Sequence, residues 1–187
     1  MDIIIKPLTS DLTEDFLHFF DNIGFVDNPD WDSCYCQFYH IEGSRKKWAK
    51  RTKEQNRNSS KALITSGKMK GFLAYLDGKP VGWCNANSKE NYSYILFEDE
   101  SNNEKKVATV VCFLIAPSYR NKGIARLLLK EAYKYYKSKK YDYIESYPVK
   151  NHKSDAHNYH GPYSLFLSEG FSVFKELKGI YVMRKNL

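Results

Sequence analysis

Residues 107–138 read VATVVCFLIAPSYRNKGIARLLLKEAYKYYKS. The first nine are almost wholly apolar, as a strand covered on both faces should be, so Val107–Ile115 is predicted to be a central strand. Apolar residues then recur at Ile124, Leu127, Leu128, Ala132 and Tyr135. Spacings of three, four and seven put them on one side of a helix running to about Ser138. Gly123 stands where that helix begins. A glycine there lets another group approach the backbone, and first-turn amides without intrahelical acceptors point outward at the positive end of the helix dipole. Such a helix start binds phosphate, and Arg120, Lys122 and Arg126 are expected to add mobile positive charge beside it. Taken alone, the motif equally describes an ordinary helix start with a space-saving glycine and surface basics.

Working outward, residues 71–85 give the second clear signal. Gly71–Leu76, Asp77-Gly78 and Val81–Asn85 form a hairpin pattern, because Asp-Gly supplies the positive backbone angles of tight turns between strands. Ile3–Leu8 reads as a short strand. A helix over Glu14–Asn22, capped by Asp11 or Thr13, has Phe16, Leu17, Phe19 and Phe20 on its apolar side. Asn28–Gly43 is aromatic and irregular, and Ser44–Ser66 favours helix. On the other side of the helix ending near Ser138, Tyr141–Val149 is predicted as a strand, Lys150–Gly161 as a polar, His-rich loop, and Pro162–Ser168 as a short helix stopped by Gly170. Phe171–Phe174 and Ile180–Arg184 read as closing strands, and Glu98–Lys106 as an exposed polar loop.

Composition bounds the rest. The 187 residues are 42% hydrophobic and 27% charged, with a mean hydropathy of -0.60, which describes one globular domain rather than a fibrous or disordered chain. The longest apolar run, Val110–Ala116, is far short of the roughly 20 residues of a spanning helix. The start MDIIIKPL has an acid where a leader wants basic residues, so cytoplasmic residence is expected. Four cysteines are too few for a disulfide framework, so reduced thiols are expected. A net charge of +7 favours anionic company without specifying a reaction. Of the basic residues, eight (Arg45, Lys46, Lys47, Lys50, Arg51, Lys53, Arg57 and Lys61) lie in Ser44–Ser66, which fits either a solvated helix face or a nucleic-acid contact.

In element order the chain resembles the GCN5-related N-acetyltransferase (GNAT) superfamily, whose pyrophosphate loop has the form (Arg/Gln)-x-x-Gly-x-(Gly/Ala). Here that loop is Arg120-Asn121-Lys122-Gly123-Ile124-Ala125. The resemblance extends over about Gly71–Arg184, through the Asp-Gly hairpin, the apolar strand ending in Ala116-Pro117, the amphipathic helix and the closing Glu169-Gly170-Phe171. It implies an α/β fold with a mixed, mostly antiparallel central sheet flanked by helices, in one domain whose residues 71–184 form the cofactor-binding core and residues 1–70 a variable acceptor-side segment. The implied activity is acetyl transfer from acetyl-CoA to a primary amine. The implied cofactor contacts are Phe113, Leu114 and Ile115 beside the pantetheine, the amides of Arg120, Asn121, Lys122, Gly123, Ile124, Ala125 and Arg126 at the pyrophosphate, and Phe166 along the cofactor. A small-molecule or peptide amine is the expected acceptor and a homodimer is admitted, while membrane and nucleic acid are not expected.

Acetyl transfer needs a neutral amine, stabilisation of the developing oxyanion and a proton for the departing thiolate. Many family members carry a tyrosine four residues before the Gly of the Gly-Phe pair as proton donor, but Phe166 occupies that position and a phenyl ring donates nothing. Tyr163 or Tyr159 is expected to substitute. Glu145, an acid amid Tyr141, Tyr143 and Tyr147 on one strand face, is the expected base, against the alternative of a carboxylate paired with Lys or Arg. Cys84 and Cys112 read as structural thiols. Cys34 and Cys36 lie among Trp31, Tyr35, Phe38 and Tyr39, a group that fits the acceptor pocket better than a zinc site, which lacks a second ligand pair. His152, His157, His160 and Asp155 have no ligand spacing and read as a polar loop near the acceptor entrance. The rival functions are a non-catalytic CoA-binding module, suggested by Phe166, and a nucleic-acid-binding protein using the basic helix.

Overall fold

The computed structural model describes residues 2–42, 45–97, 104–150, 154 and 156–187. Its strands are β1 (Ile4–Pro7), β2 (Phe72–Leu76), β3 (Lys79–Ser88), β4 (Val107–Ile115), β5 (Tyr143–Ser146), β6 (Ser172–Leu177) and β7 (Ile180–Asn186). They form a seven-stranded sheet in the order β1-β2-β3-β4-β5-β7-β6. The β4–β5 pair is parallel and the other pairs are antiparallel. The helices are α1 (Thr13–Asn22), α2 (Arg45–Trp48), α3 (Lys53–Thr65), α4 (Ile124–Ser138) and α5 (Tyr163–Ser168). The expected mixed, mostly antiparallel sheet with flanking helices is therefore the architecture of the chain.

Asp77 and Gly78 turn the β2–β3 hairpin with φ of 50° and 75°. β4 is central as its composition demands, with Ala108, Val110 and Val111 buried. Two apolar layers sandwich the sheet. On one side α4 and α5 bury Ile124, Leu128, Leu129, Ala132 and Phe166 against Phe72, Val110 and Phe113. On the other, α1 presents Phe16, Leu17, Phe19 and Phe20 to Leu73, Tyr75 and Trp83.

Several local expectations need correction. No side chain caps α1: Leu12 is its N-cap, a short 3-10 turn of Ser10–Leu12 precedes it, and the Thr13 hydroxyl donates back to Ser10. The stretch expected as one helix over Ser44–Ser66 is two, because Thr52 takes extended backbone angles and starts α3 with a reciprocal capping box to Gln55. β5 is shorter than Tyr141–Val149, since its partner β4 leaves it after the Val110–Ser146 pair and only an isolated Val149–Ile180 bridge continues. Most of the Glu98–Lys106 loop, and His152 and Asp155 of the later loop, lie outside the described residues.

That early end of β5 matters most. β4 continues from Val111 to Ile115, paired with β3 alone, so the sheet opens into a wedge between β4 and β5. The Ala116 N–H bonds back to Val81 on β3. Strand alternation therefore turns the backbone groups of Phe113 and Ile115 toward the opening.

Candidate active site

A cavity of about 970 Å³ fills this wedge and extends under the loop after α1. One half is lined by Phe113, Leu114 and Ile115 of β4, by Arg120 and Asn121 of the following loop, by Gly123–Arg126 at the start of α4, and by Ser164, Leu165 and Ser168 of α5. The other half is lined by Phe20, Phe25, Trp31, Phe38, Tyr39 and Trp48, with Cys34, Cys36 and Cys112 between the two. Elements far apart in sequence thus enclose one continuous space.

The loop before α4 has the geometry its sequence suggested. Gly123 is the N-cap at φ 81°, with no side-chain cap, and a Cβ placed on it would meet nothing within 4 Å. The open space lies at the N-terminus of a 15-residue helix whose first amides have no carbonyl one turn behind them. Asn121 also takes a positive φ of 59°, which lets the backbone turn sharply into the helix.

The expected cations have partners of their own. Arg120 forms a fork with Asp27, its Nη2 lying 3.1 Å from Oδ1, while its Nε donates to the Ile115 carbonyl at 3.1 Å. The hydrogen bond from Arg120 is the main reason the Asp27 carboxyl is held below its ordinary range. Arg126 pairs with Glu169 at 3.2 Å and donates to Ser168. Lys122 lies over the Tyr119 ring and does not line the cavity. Arg120 and Arg126 line the cavity while bonded to Asp27 and Glu169.

Three other candidates are displaced. Glu145 is fully buried outside the cavity lining, with Oε2 3.1 Å from Lys89 Nζ, Oε1 2.6 Å from Arg184, and the Tyr147 hydroxyl donating to Oε2 at 3.0 Å. Two cations and a phenol hold its lone pairs, the arrangement of the paired-carboxylate alternative. Tyr163 and Phe166, three residues apart, share the core face of α5 rather than its cavity face. Tyr163 packs at a tilt against Tyr181 with ring centroids 4.7 Å apart, and Phe166 is fully buried between Phe113 and Phe171. Phe166 supports the wall from behind.

Tyr159 does line the cavity, and its carbonyl accepts the Phe113 N–H at 2.6 Å across the wedge. Its phenol is hydrogen-bonded with that of Tyr39, whose hydroxyl lies 3.4 Å from His160 Nε2. Burial and then the Tyr159 phenol push Tyr39 well above its usual value, while burial holds the His160 imidazole down to about 4. Of the aromatic group around Cys34, Trp31, Phe38 and Tyr39 line the cavity, whereas Tyr35 is buried and donates its hydroxyl to Asp21. The sequence reading missed Phe20, which looked like plain core on α1, and Trp48, whose signal was a large aromatic within an otherwise basic stretch. It also read Cys112 as purely structural, although that residue is half-buried on the cavity wall.

Three of the eight basic residues of Ser44–Ser66 are in ion pairs on α3. Lys53 pairs with Asp32 at 2.6 Å, Arg57 with Asp21 at 3.0 Å and Lys61 with Glu14 at 2.8 Å, so α3 spends these cations on α1 and the loop after it. Among the described residues no cluster of His, Cys, Asp or Glu is arranged to hold a metal ion, and no helix is long and apolar enough to cross a membrane.

Solved structures share this architecture. The PaiA N-acetyltransferase of Thermoplasma acidophilum in complex with coenzyme A aligns over 100% of both chains at 20% identity with a TM-score of 0.57. A GNAT-family acetyltransferase from Streptococcus pneumoniae aligns over 100% of both chains at 16% identity and 0.55. Aminoglycoside N-acetyltransferase AAC(6')-Iy in complex with CoA aligns over 95% of this chain and 92% of its own at 13% identity and 0.56. At these identities the likeness is one of fold. No curated protein matches the sequence. The model of the Acetyltransferase (GNAT) family matches residues 30–161. Since that match spans most of the chain and takes in the cavity loop, β4 and the whole of α4, the chain belongs to the GNAT acetyltransferase family.

Proposed function

We propose that this protein transfers an acetyl group from acetyl-CoA to a primary amine carried on an apolar, ring-bearing body. The observation that supports this reading is the single cavity joining the α4 N-terminus, the open edge of β4 and an aromatic chamber. Bound acetyl-CoA would supply a thioester acyl group and an anionic pyrophosphate. The residues fit that group: the amides of Gly123, Ile124, Ala125 and Arg126 face an open cradle that any side chain at position 123 would fill. Arg120, tied to Asp27 and to Ile115, holds the loop against the end of β4. At the edge of β4 the Phe113 N–H is taken by Tyr159 and the Ile115 carbonyl by Arg120, which leaves the Ile115 N–H to orient a chain-like substituent beside the strand.

Tyr159, which lines the cavity beside β4, is the proton donor for the departing thiolate, with Tyr39 and His160 behind it as its supporting network. The amine must reach the cavity neutral. Asp30, the carboxylate among the lining residues, draws the ammonium form toward the entrance, where it loses its proton to water before passing the aromatic wall. Phe20, Phe25, Trp31, Phe38 and Trp48 offer ring faces and few hydrogen-bond partners, so a polyhydroxylated acceptor would leave its hydroxyls unpaired there.

The test is release of CoA thiol from acetyl-CoA across a panel of amines. Arylalkylamines and long alkylamines are expected to show kcat/KM at least about tenfold above aminoglycosides and polyamines, as one misplaced polar group in an apolar pocket costs more than 1.4 kcal/mol. Turnover restricted to polyhydroxylated amines would reject the acceptor class. Acetyl-CoA binding without turnover on any amine would leave a non-catalytic CoA-binding module.

A further inference from the structure

One ion pair joins the two halves of the cavity. Arg120 lines the donor half beside Asn121 and the start of α4, and its Nε donates to the Ile115 carbonyl at 3.1 Å, where β4 ends. Its other two nitrogens fork onto Asp27, with Nη1 2.5 Å from Oδ2 and Nη2 3.1 Å from Oδ1. Asp27 belongs to the loop after α1, in which Phe25, Asn28, Asp30 and Trp31 line the cavity. A carboxylate on the acceptor side therefore holds the cation that stands nearest in sequence to the phosphate-binding amides.

The loop carrying Asp27 has few other holds. Its backbone bonds are local, from the Asn28 N–H to the Phe25 carbonyl at 2.9 Å and from the Trp31 N–H to the Asn28 carbonyl at 3.1 Å. At its start Gly24 is pressed onto β4, where a Cβ would lie 2.7 Å from Leu114 Cδ2. At its end the Trp31 ring packs edge-on against Tyr159, with centroids 5.9 Å apart, and against His157 at 5.2 Å. Among the described residues, the Arg120 fork supplies the side-chain hydrogen bonds that tie residues 23–31 to another part of the chain. Trp31 follows Asp27 by four residues, so this fork fixes the stretch of wall that leans on Tyr159.

We propose that Asp27 is a positioning residue that commits the Arg120 guanidinium to the acceptor-side wall and so withholds it from the pyrophosphate of the acyl donor. The proposal rests on the acetyl-CoA reading of the cavity. Carboxylate and phosphate compete for the same paired N–H groups of a guanidinium, because both accept the planar fork. Three of the five N–H groups of Arg120 are engaged, two of them by Asp27. An anion arriving at the α4 N-terminus thus meets a neutralised arginine and is held mainly by backbone N–H. The loop gains a fixed position for Trp31 against Tyr159. Product CoA carries the same pyrophosphate as the donor, so the weaker grip also lets CoA leave after each transfer.

The experiment compares the full wild-type chain with Asp27→Asn and Asp27→Ala, using calorimetry with acetyl-CoA and with CoA, and amide hydrogen exchange on the ligand-free proteins. Asp27 is exposed, so both variants are expected to fold. Each should bind acetyl-CoA and CoA about three- to tenfold more tightly, as a freed guanidinium turns to the anion. Without ligand, residues 23–31 should exchange at least about threefold faster, while α1 and β4 keep wild-type rates. In an Arg120→Ala background, Asp27→Asn should tighten binding by less than about twofold, since an exposed carboxylate acting alone is screened. Damage to the fold would weaken binding, so a gain in affinity separates positioning from a merely structural role. Unchanged or weaker binding in both variants overturns the proposal and leaves the acetyl-CoA reading standing. An equal gain without Arg120 assigns the effect to direct repulsion and overturns the positioning role, as does a gain for acetyl-CoA that CoA does not share. Wild-type exchange rates over residues 23–31 overturn the loop tether. No binding of acetyl-CoA by the wild-type chain rejects the acetyl-CoA reading itself, and the proposal falls with it.

Discussion

At the scale of single residues, position on or before a helix decides which tyrosine lines the cavity. Tyr163 was attractive because it stands one turn before Phe166, but that spacing places both on the core face of α5. Tyr159, in the turn before the helix, has its ring in the cavity and its carbonyl on Phe113. Tyr159→Phe is therefore expected to lower kcat by about a hundredfold or more with little change in acetyl-CoA affinity, the usual magnitude for a lost general acid. Tyr163→Phe should leave kcat unchanged. Steady-state kinetics on both variants, with a pH profile for each, checks the pair: equal losses, or a loss only in Tyr163→Phe, would return the role to α5. Glu145 makes the same point from the other side. Alternation placed it correctly with Tyr143 and Tyr147, but one face of β5 looks onto Lys89 and Arg184, and no strand period reveals cations brought from other elements.

At the scale of elements, the start of α4 is the feature most fully readable in advance. Gly123 at φ 81° combines the left-handed backbone with open space, and both depend on having no Cβ. Gly123→Glu should weaken acetyl-CoA binding by about a hundredfold, since it blocks charge-assisted backbone contacts worth about 1.5–3 kcal/mol each and places a like charge beside the pyrophosphate. Arg120→Ala should cost about tenfold or less, because its guanidinium is committed to Asp27 and acts by holding the loop. Calorimetry with acetyl-CoA, alongside circular dichroism to show intact folds, measures both. Reversal of that order would mean that side-chain charge, rather than backbone N–H, carries the binding. The element that sequence handled least well is β5. Its residues favour a strand through Val149, yet pairing ends at Ser146 because β4 diverges, and the length of a strand is set by its partner as much as by itself.

At the scale of the whole molecule, a buried imidazole and a half-buried one couple the fold to pH. Burial holds His40 and His160 down to about 4, against 6.5 for a free imidazole. Between those values the unfolded chain binds more protons than the folded one, so this stability is complete above about pH 6.5 and is lost as pH falls toward 4. At about 1.4 kcal/mol per unit, the loss is on the order of 3 kcal/mol per histidine. The carboxyls of Asp21, Asp27 and Asp142, lowered in the folded protein by their partners, act in a separate window, with their contribution lost only below about pH 4. Urea unfolding at pH 7 and pH 4.5 should show the first loss, and His160→Gln should remove about half of the difference. A flat profile between these pH values would mean that both rings reach solvent.

What the sequence determined by itself is what depends on neighbours along the chain. The apolar run of β4, the Asp-Gly turn, the amphipathic period of α4 and the glycine at its start each follow from backbone preference and local burial, and together they specify the family and the glycine-led helix start. The tertiary structure alone decided what depends on juxtaposition. It tied Arg120 to Asp27 across 93 residues, sealed Glu145 between Lys89 and Arg184, and turned Tyr163 and Phe166 into the core. Charge pairing, desolvation and hydrogen-bond direction fall steeply with distance in space, and distance along the chain carries no record of them.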